Sequence, residues 1–257
     1  MAKEDILILA ITRMQSGICL AGINLKTHRW ECFIPRFLTR LAYPKVYDWV
    51  RPVKSYETLQ LNDLIDASGK TISNFDVVRM NLLLWHPNRP HMEDWLVDFN
   101  REKPVILTNV SESHRAELLD SLSDNSPDEV LQSPSFRSLC LIKPDKINKV
   151  IFDPGVRYGK YEVRVIFNFA GQDFLGIPKS PGLPCTDLKF RTLGKRLLGE
   201  KANILNFNAE QFKELFHFEK VYLAIGLGHE YKGKNWPMVL GFHTIPDYTA
   251  YIDFGSP

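Results

Sequence analysis

Residues 35 to 56 interleave Arg36, Arg40, Lys45, Arg51 and Lys54 with Phe37, Tyr43, Tyr47, Trp49 and Tyr56, the densest mixture of cations and aromatic rings in the chain. Rings that stack on bases, set beside cations that follow phosphates, are what a single-stranded nucleic acid asks of a protein surface. The bland alternative makes Phe37, Tyr47 and Trp49 core residues and the cations a solvated edge. Thr12 and Arg13 end an apolar run beside Gly17. There a forked guanidinium could hold a phosphate or a carboxylate, or make a structural ion pair.

His91, Asp94 and Asp98 fall on one face if residues 91–99 form a helix, opposite a stripe of Met92, Trp95, Leu96 and Phe99 that would face a core. One helix face does not complete a metal site, and acidic residues near a helix start also suit its dipole, so no metal is predicted. Glu93 and Asp94 can instead accept hydrogen bonds from base edges or pair with Arg13 or Arg51. In the second half Asp187, after Pro181-Gly182-Leu183-Pro184, suits an Asp that closes a turn onto its own backbone. Lys189, Arg191, Lys195, Arg196 and Lys201 form a second basic cluster, equally consistent with phosphate contacts and with a solvated face.

Enzyme readings find less support. Pro144-Asp145 followed by Glu162-x-Arg164 approximates the restriction-type nuclease pattern, in which carboxylates hold a metal that activates water, but Arg164 stands where lysine is needed. Cys19 or Cys185 with His229 or His243 would make a thiol and imidazole pair, without any local signature. Neither GxGxxG at a strand-to-helix turn nor GxxxxGK[ST] occurs, which removes the dinucleotide and P-loop readings. No cofactor is predicted. A third class is a protein-interaction module, using Trp236, Tyr248, Tyr251 and Phe254 as an aromatic patch.

The composition frames these candidates. The 257 residues are 44% hydrophobic and 24% charged, with a formal net charge of +2. That is a globular chain rather than a polycation, so any nucleic-acid surface must be local. Ile6 to Ile11 is far short of the roughly 20 residues a membrane helix needs, and no secretory signal is recognisable, which predicts a cytoplasmic protein. Cys19, Cys32, Cys140 and Cys185 lack CxxC pairing and read as buried thiols.

The elements that must position the candidates are mostly strands. Ile6 to Ile11, Ile18 to Leu25 and Trp30 to Ile34 read as a meander, Phe75 to Leu84 and Val105 to Leu107 as further strands, and His114 to Leu122 as a helix. Ser126-Pro127-Asp128-Glu129 has the form of a capping box, and Ser133-Pro134-Ser135 punctuates the chain. Tyr161 to Phe169, Ala170-Gly171-Gln172 and Asp173 to Ile177 make the clearest hairpin. Asn208 and Gln211 cap a helix ahead of strands Val221 to Leu227 and Met238 to Ile245.

The opening Ile6 to Arg13 with Gly17, Cys19 and Ala21-Gly22, then Trp49-Val50-Arg51-Pro52-Val53 and Glu93-Asp94-Trp95, resembles the N-terminal half of prokaryotic dual OB-fold domain proteins. Phe167-Asn168-Phe169, Cys185-Thr186-Asp187 and Tyr222 to Leu227 are similar to that family's second half. The resemblance implies a mainly β chain with inserted helices, a β-rich α+β fold of two OB-like small barrels packed together. The expected division is 1–135 for an N-terminal OB-like domain and 136–257 for a C-terminal one. It further implies binding of single-stranded nucleic acid or a nucleotide, with a place in bacterial conflict or defence systems and a protein partner as a further option. The ligand-binding candidates are Thr12, Arg13, Trp49, Arg51, Glu93 and Asp94, and, on the resemblance alone, Thr186 and Asp187. No catalytic residue is assigned.

Overall fold

A computed structural model describes residues 2–14, 16–25, 49–124, 127–131, 137–228, 230 and 233–254. The strand expected at Trp30 to Ile34 therefore lies outside the described residues, as do Arg36, Phe37, Arg40, Tyr43, Lys45, Tyr47, Cys32, His229 and the Ser133-Pro134-Ser135 break. The chain divides into two compact units, Met1–Val110 with Asp128–Leu139, and Ser111–Pro127 with Cys140–Pro257.

The first unit is one sheet. Its strands are β1 (Ala2–Arg13), β2 (Ile18–Asn24), β3 (Trp49–Val53), β4 (Asp76–Leu82), β5 (Leu84–Trp85), β6 (Asp94–Leu96) and β7 (Val105–Asn109), in the order β5-β6-β3-β2-β1-β4-β7. The run Ile6 to Ile11 is wholly buried, as expected of a central strand with covered faces on both sides. β2 pairs antiparallel with β1 and with β3, and β6 then adds in parallel beyond β3. The ladder is an open path rather than a closed barrel. Leu83 is all that separates β4 from β5, however, so one bent strand pairs with β1 at its start and with β6 at its end. That is the curl of a small, partly open Greek-key barrel.

Residues 91–99 are not the expected helix. Their central stretch is β6, because backbone groups here bond to β3 and β5: Arg51 N donates to Glu93 O at 2.8 Å and Val97 N to Val53 O at 3.0 Å. The helical spacing of Met92, Trp95, Leu96 and Phe99 was coincidental, and Trp95, expected in the core, is half-buried. Asp98 accepts from the amides of Asn100 and Arg101 in a turn. The helical face that would have aligned His91, Asp94 and Asp98 does not form, and among the described residues no group of three His, Cys, Asp or Glu is disposed to hold a metal ion.

The second unit carries α1 (Glu112–Leu122), then β9 (Lys146–Asp153) and β10 (Glu162–Phe169) after the strand β8 (Leu139–Ile142), whose first residue falls with the first unit, as does the short helix α2 (Asp128–Leu131). There follow β11 (Gln172–Phe174), β12 (Gly176–Ile177), β13 (Ser180–Pro181), β14 (Leu183–Pro184), α3 (Leu188–Leu198), β15 (Leu205–Asn208), α4 (Ala209–Phe216), β16 (Lys220–Leu227) and β17 (Pro237–Ile245). The hairpin forms, with Phe167 opposite Phe174 and their rings stacked at 4.9 Å, but its return strand ends at Phe174, and Gly176 and Ile177 of the expected run pair with β13 instead. The capping box of α4 is complete, Gln211 N donating to Asn208 Oδ1 at 2.9 Å and Asn208 N to Gln211 Oε1 at 3.0 Å. One ladder runs β11-β10-β9-β15 and another β17-β16-β8, again open paths.

The core here is aromatic. Phe190 of α3 stacks on Phe242 of β17 at 4.1 Å, with Phe152, Phe212 and Tyr248 around it at tilted or edge-on angles. α3 reaches β9 because Gly194 has no side chain: a Cβ there would lie 2.2 Å from the Phe152 ring. Tyr248 is thus buried core and not part of an exposed patch, while Trp236 and Tyr251 are exposed.

Candidate nucleic-acid interface

Trp49, Arg51, Glu93 and Asp94 come together where β3 runs parallel to β6. Register sets Arg51 beside Asp94. The guanidinium donates from Nε to Asp94 Oδ1 at 2.6 Å and from Nη2 to Oδ2 at 2.8 Å, a forked pair with side chains only 13% and 6% exposed. Thr12 lies across from Cys19 in the β1 and β2 ladder, and the Cys19 thiol sits in the field of Arg51 and Asp94, although burial, the larger influence, pushes it up. Thr12, Cys19, Arg51 and Asp94 therefore make a polar strip across one face of the sheet. Arg13, one residue on, points to the opposite face, as alternation requires. Trp49 is a core residue, 5% exposed.

Alternation also turns Glu93 away from Asp94. Its carboxylate is wholly buried and accepts from Ser138 N at 2.6 Å, Leu139 N at 3.0 Å and Ser138 Oγ at 2.9 Å, with His91 Nδ1 2.8 Å from the same hydroxyl. Burial pushes this carboxyl up, against the lowering effect of the Ser138 donors. Ser138 has no sequence signal, since it stands 45 residues from Glu93.

Chemically this is a seam and not an open anion cradle. Arg51 can fork a phosphate only after releasing Asp94, and the Glu93 oxygens already hold three donors. Replacing Arg51 with Ala strands the Asp94 carboxylate in a poorly solvated site, at an expected cost of about 2 to 3 kcal/mol. Urea denaturation measures it, and the double variant Arg51→Ala/Asp94→Asn should recover part of the loss.

The second unit repeats the device. Cys185 N donates to Val163 O at 2.8 Å and Thr186 N to Val239 O at 2.9 Å, with Cys185 bridged in parallel to Val239. The segment stitches β10 to β17. Asp187 is the N-cap of α3, accepting from Phe190 N at 3.1 Å, and its second oxygen accepts from Phe242 N at 2.7 Å. It closes a turn, as expected, and in addition fastens a helix to a strand. Burial pushes its carboxyl up to about 6 against the pull of these amides.

The second basic cluster is largely engaged within its unit. Lys189 pairs with Asp247 at 2.7 Å, Arg191 donates to Tyr161 O at 3.1 Å while lying 4.7 Å over that ring, and Arg196 donates to Thr249 O at 2.8 Å. The nuclease pattern fails on geometry. Asp145 N bonds Asn168 O at one end of β10, and Glu162 begins the other end, about 20 Å away along the strand. Arg164 donates to the carbonyls of Ser180, Pro181 and Gly182 and pairs with Glu162 at 3.1 Å, which is structural work. Cys185 is buried and its thiol is raised by that burial, the reverse of a reactive nucleophile.

Two units of mainly antiparallel strands, each joined by a parallel seam, are the expected architecture of tandem OB-like domains. The family model of the dual OB-containing domain matches residues 4–242. The chain belongs to that family. No curated protein and no solved structure matches it. In this dual OB chain three of the short stretches that carry the resemblance, Trp49 to Val53, Glu93-Asp94-Trp95 and Cys185-Thr186-Asp187, lie in the two seams. Among the described residues no helix is long and apolar enough to cross a membrane.

Proposed function

We propose that this dual OB protein binds single-stranded nucleic acid or a nucleotide and has no catalytic role of its own. Membership of the dual OB family over residues 4–242 carries the reading, since an OB-like sheet is a fold of nucleic-acid-binding type. Thr12, Arg13 and Arg51 in the first unit and Thr186 in the second are the polar residues nearest the two seams. Their part in binding is to hold the sheets in shape, as Arg51 does through its fork on Asp94. A cytoplasmic location and a sensor or accessory role in a bacterial defence system complete the proposal, on the strength of the resemblance.

Fluorescence anisotropy with labelled dT and rU oligonucleotides and a nucleotide panel, with and without magnesium, tests it. The expected result is saturable binding to single strands with intact oligonucleotide recovered. Magnesium-dependent cleavage would replace the binding module by an enzyme, and no binding across the panel would favour an interaction module.

A further inference from the structure

Several described cations of the second unit are ion-paired: Arg115 and Lys189 with Asp247, Lys143 and Lys220 with Asp120. The loop joining β9 to β10 and the β12–β13 hairpin carry Arg157, Lys160 and Lys179. Arg157 and Lys179 are exposed and, among the described residues, in no ion pair, and Lys160, 75% exposed, is 3.6 Å from Glu162, whose other oxygen is held by Arg164. The two loops are neighbours, because Ser180 Oγ donates to Tyr158 Oη at 3.2 Å.

Both are held stiffly from below. Asp153, wholly buried, accepts the amides of Gly155 at 2.8 Å, Val156 at 2.7 Å and Arg157 at 3.2 Å. Arg164 grips the three carbonyls of 180–182 and lies 5.6 Å under the Tyr158 ring. At the hairpin base Gly176 sits so close to Gly182 that a Cβ would lie 2.5 Å from its carbonyl oxygen. Above this frame Val156, Leu175 and Ile177 are exposed, at 63%, 55% and 45%. Rigid loops whose tips carry exposed cations beside apolar side chains and a half-buried tyrosine ring suit a chain that is anionic along its backbone and flat along its bases.

We infer that the loops 154–160 and 175–182 form the contact surface for single-stranded nucleic acid, with Arg157, Lys160 and Lys179 on the phosphates and the Val156, Ile177 and Tyr158 side chains against the bases. The inference rests on the proposed function and locates it. Asp153 and Arg164 are positioning residues.

The test compares the full-length protein with Arg157→Ala/Lys179→Ala and with Lys146→Ala/Lys213→Ala, a pair of exposed lysines elsewhere in the unit that removes the same charge. Binding of labelled dT and rU oligonucleotides is titrated over a salt series, and melting temperatures are recorded. The loop variant is expected to bind about tenfold more weakly, with a salt slope shallower by about 1.4 and an unchanged melting temperature, while the control variant binds as wild type. The dT and rU arms say whether DNA or RNA is preferred. Equal binding by wild type and the loop variant, or equal losses in both variants, overturns the surface while leaving the function standing. Failure of the wild-type protein to bind either oligonucleotide overturns the function and the surface together.

Discussion

Replacing Glu93 with Ala is expected to remove about 3 to 5 kcal/mol of folding stability, the largest loss at any of the candidate positions. Its carboxylate accepts from the amides of Ser138 and Leu139 and from the Ser138 hydroxyl, in a site with no access to water. Truncation leaves two buried N–H groups without a partner and a cavity in place of the side chain. Glu93→Gln keeps one acceptor oxygen and turns an amide toward a donor, so about half the loss should persist. Urea unfolding of both variants measures this, and a loss below about 1 kcal/mol for Glu93→Ala would show that the seam is not a stabilising element.

Asp187→Ala is the second large effect, about 3 to 4 kcal/mol, because it removes the cap of α3 and the acceptor for Phe242 N together. This residue also makes stability depend on pH. Burial raises its folded-state carboxyl from 3.8 to about 6, so the folded protein binds a proton that the unfolded chain releases. The stability that this proton confers is fully present below about pH 4 and is lost as pH rises through about 6, on the order of 3 kcal/mol in total. Unfolding free energies at a series of pH values for wild type and Asp187→Asn should therefore converge downward for wild type relative to the variant between pH 4 and 7. A difference that stays flat, or grows with pH, would place the carboxyl at an ordinary value.

The contrast between what the sequence revealed and what it hid follows the range of the interactions. Ile6 to Ile11, the hairpin around Gly171 and the Asn208 and Gln211 box are local patterns, and they fold as local patterns dictate. Residues 91–99 are short and have both periods at once. Their apolar positions match a helix, while Glu93 and Asp94 alternate as a strand does, and pairing with β3, more than 40 residues earlier, decides between them. Arg51 with Asp94 was legible as an option because charge names its partner. Ser138 as the partner of Glu93, and the three carbonyls gripped by Arg164, were not, since backbone acceptors and donors carry no mark in a sequence. The aromatic-basic stretch drew attention to Trp49 and Arg51, of which Trp49 is buried and Arg51 engaged by Asp94, whereas Arg157 and Lys179 stand exposed on loops defined by the frame beneath them.

The most direct test of the account is the salt dependence of oligonucleotide binding by the unaltered protein. A plot of log K against log salt concentration for a single-stranded oligonucleotide should fall linearly, with a slope near −2 if three cations contact phosphate, and the oligonucleotide should remain intact in magnesium. Salt-independent binding, or none at low salt, would contradict the assignment of this dual OB protein to nucleic acid.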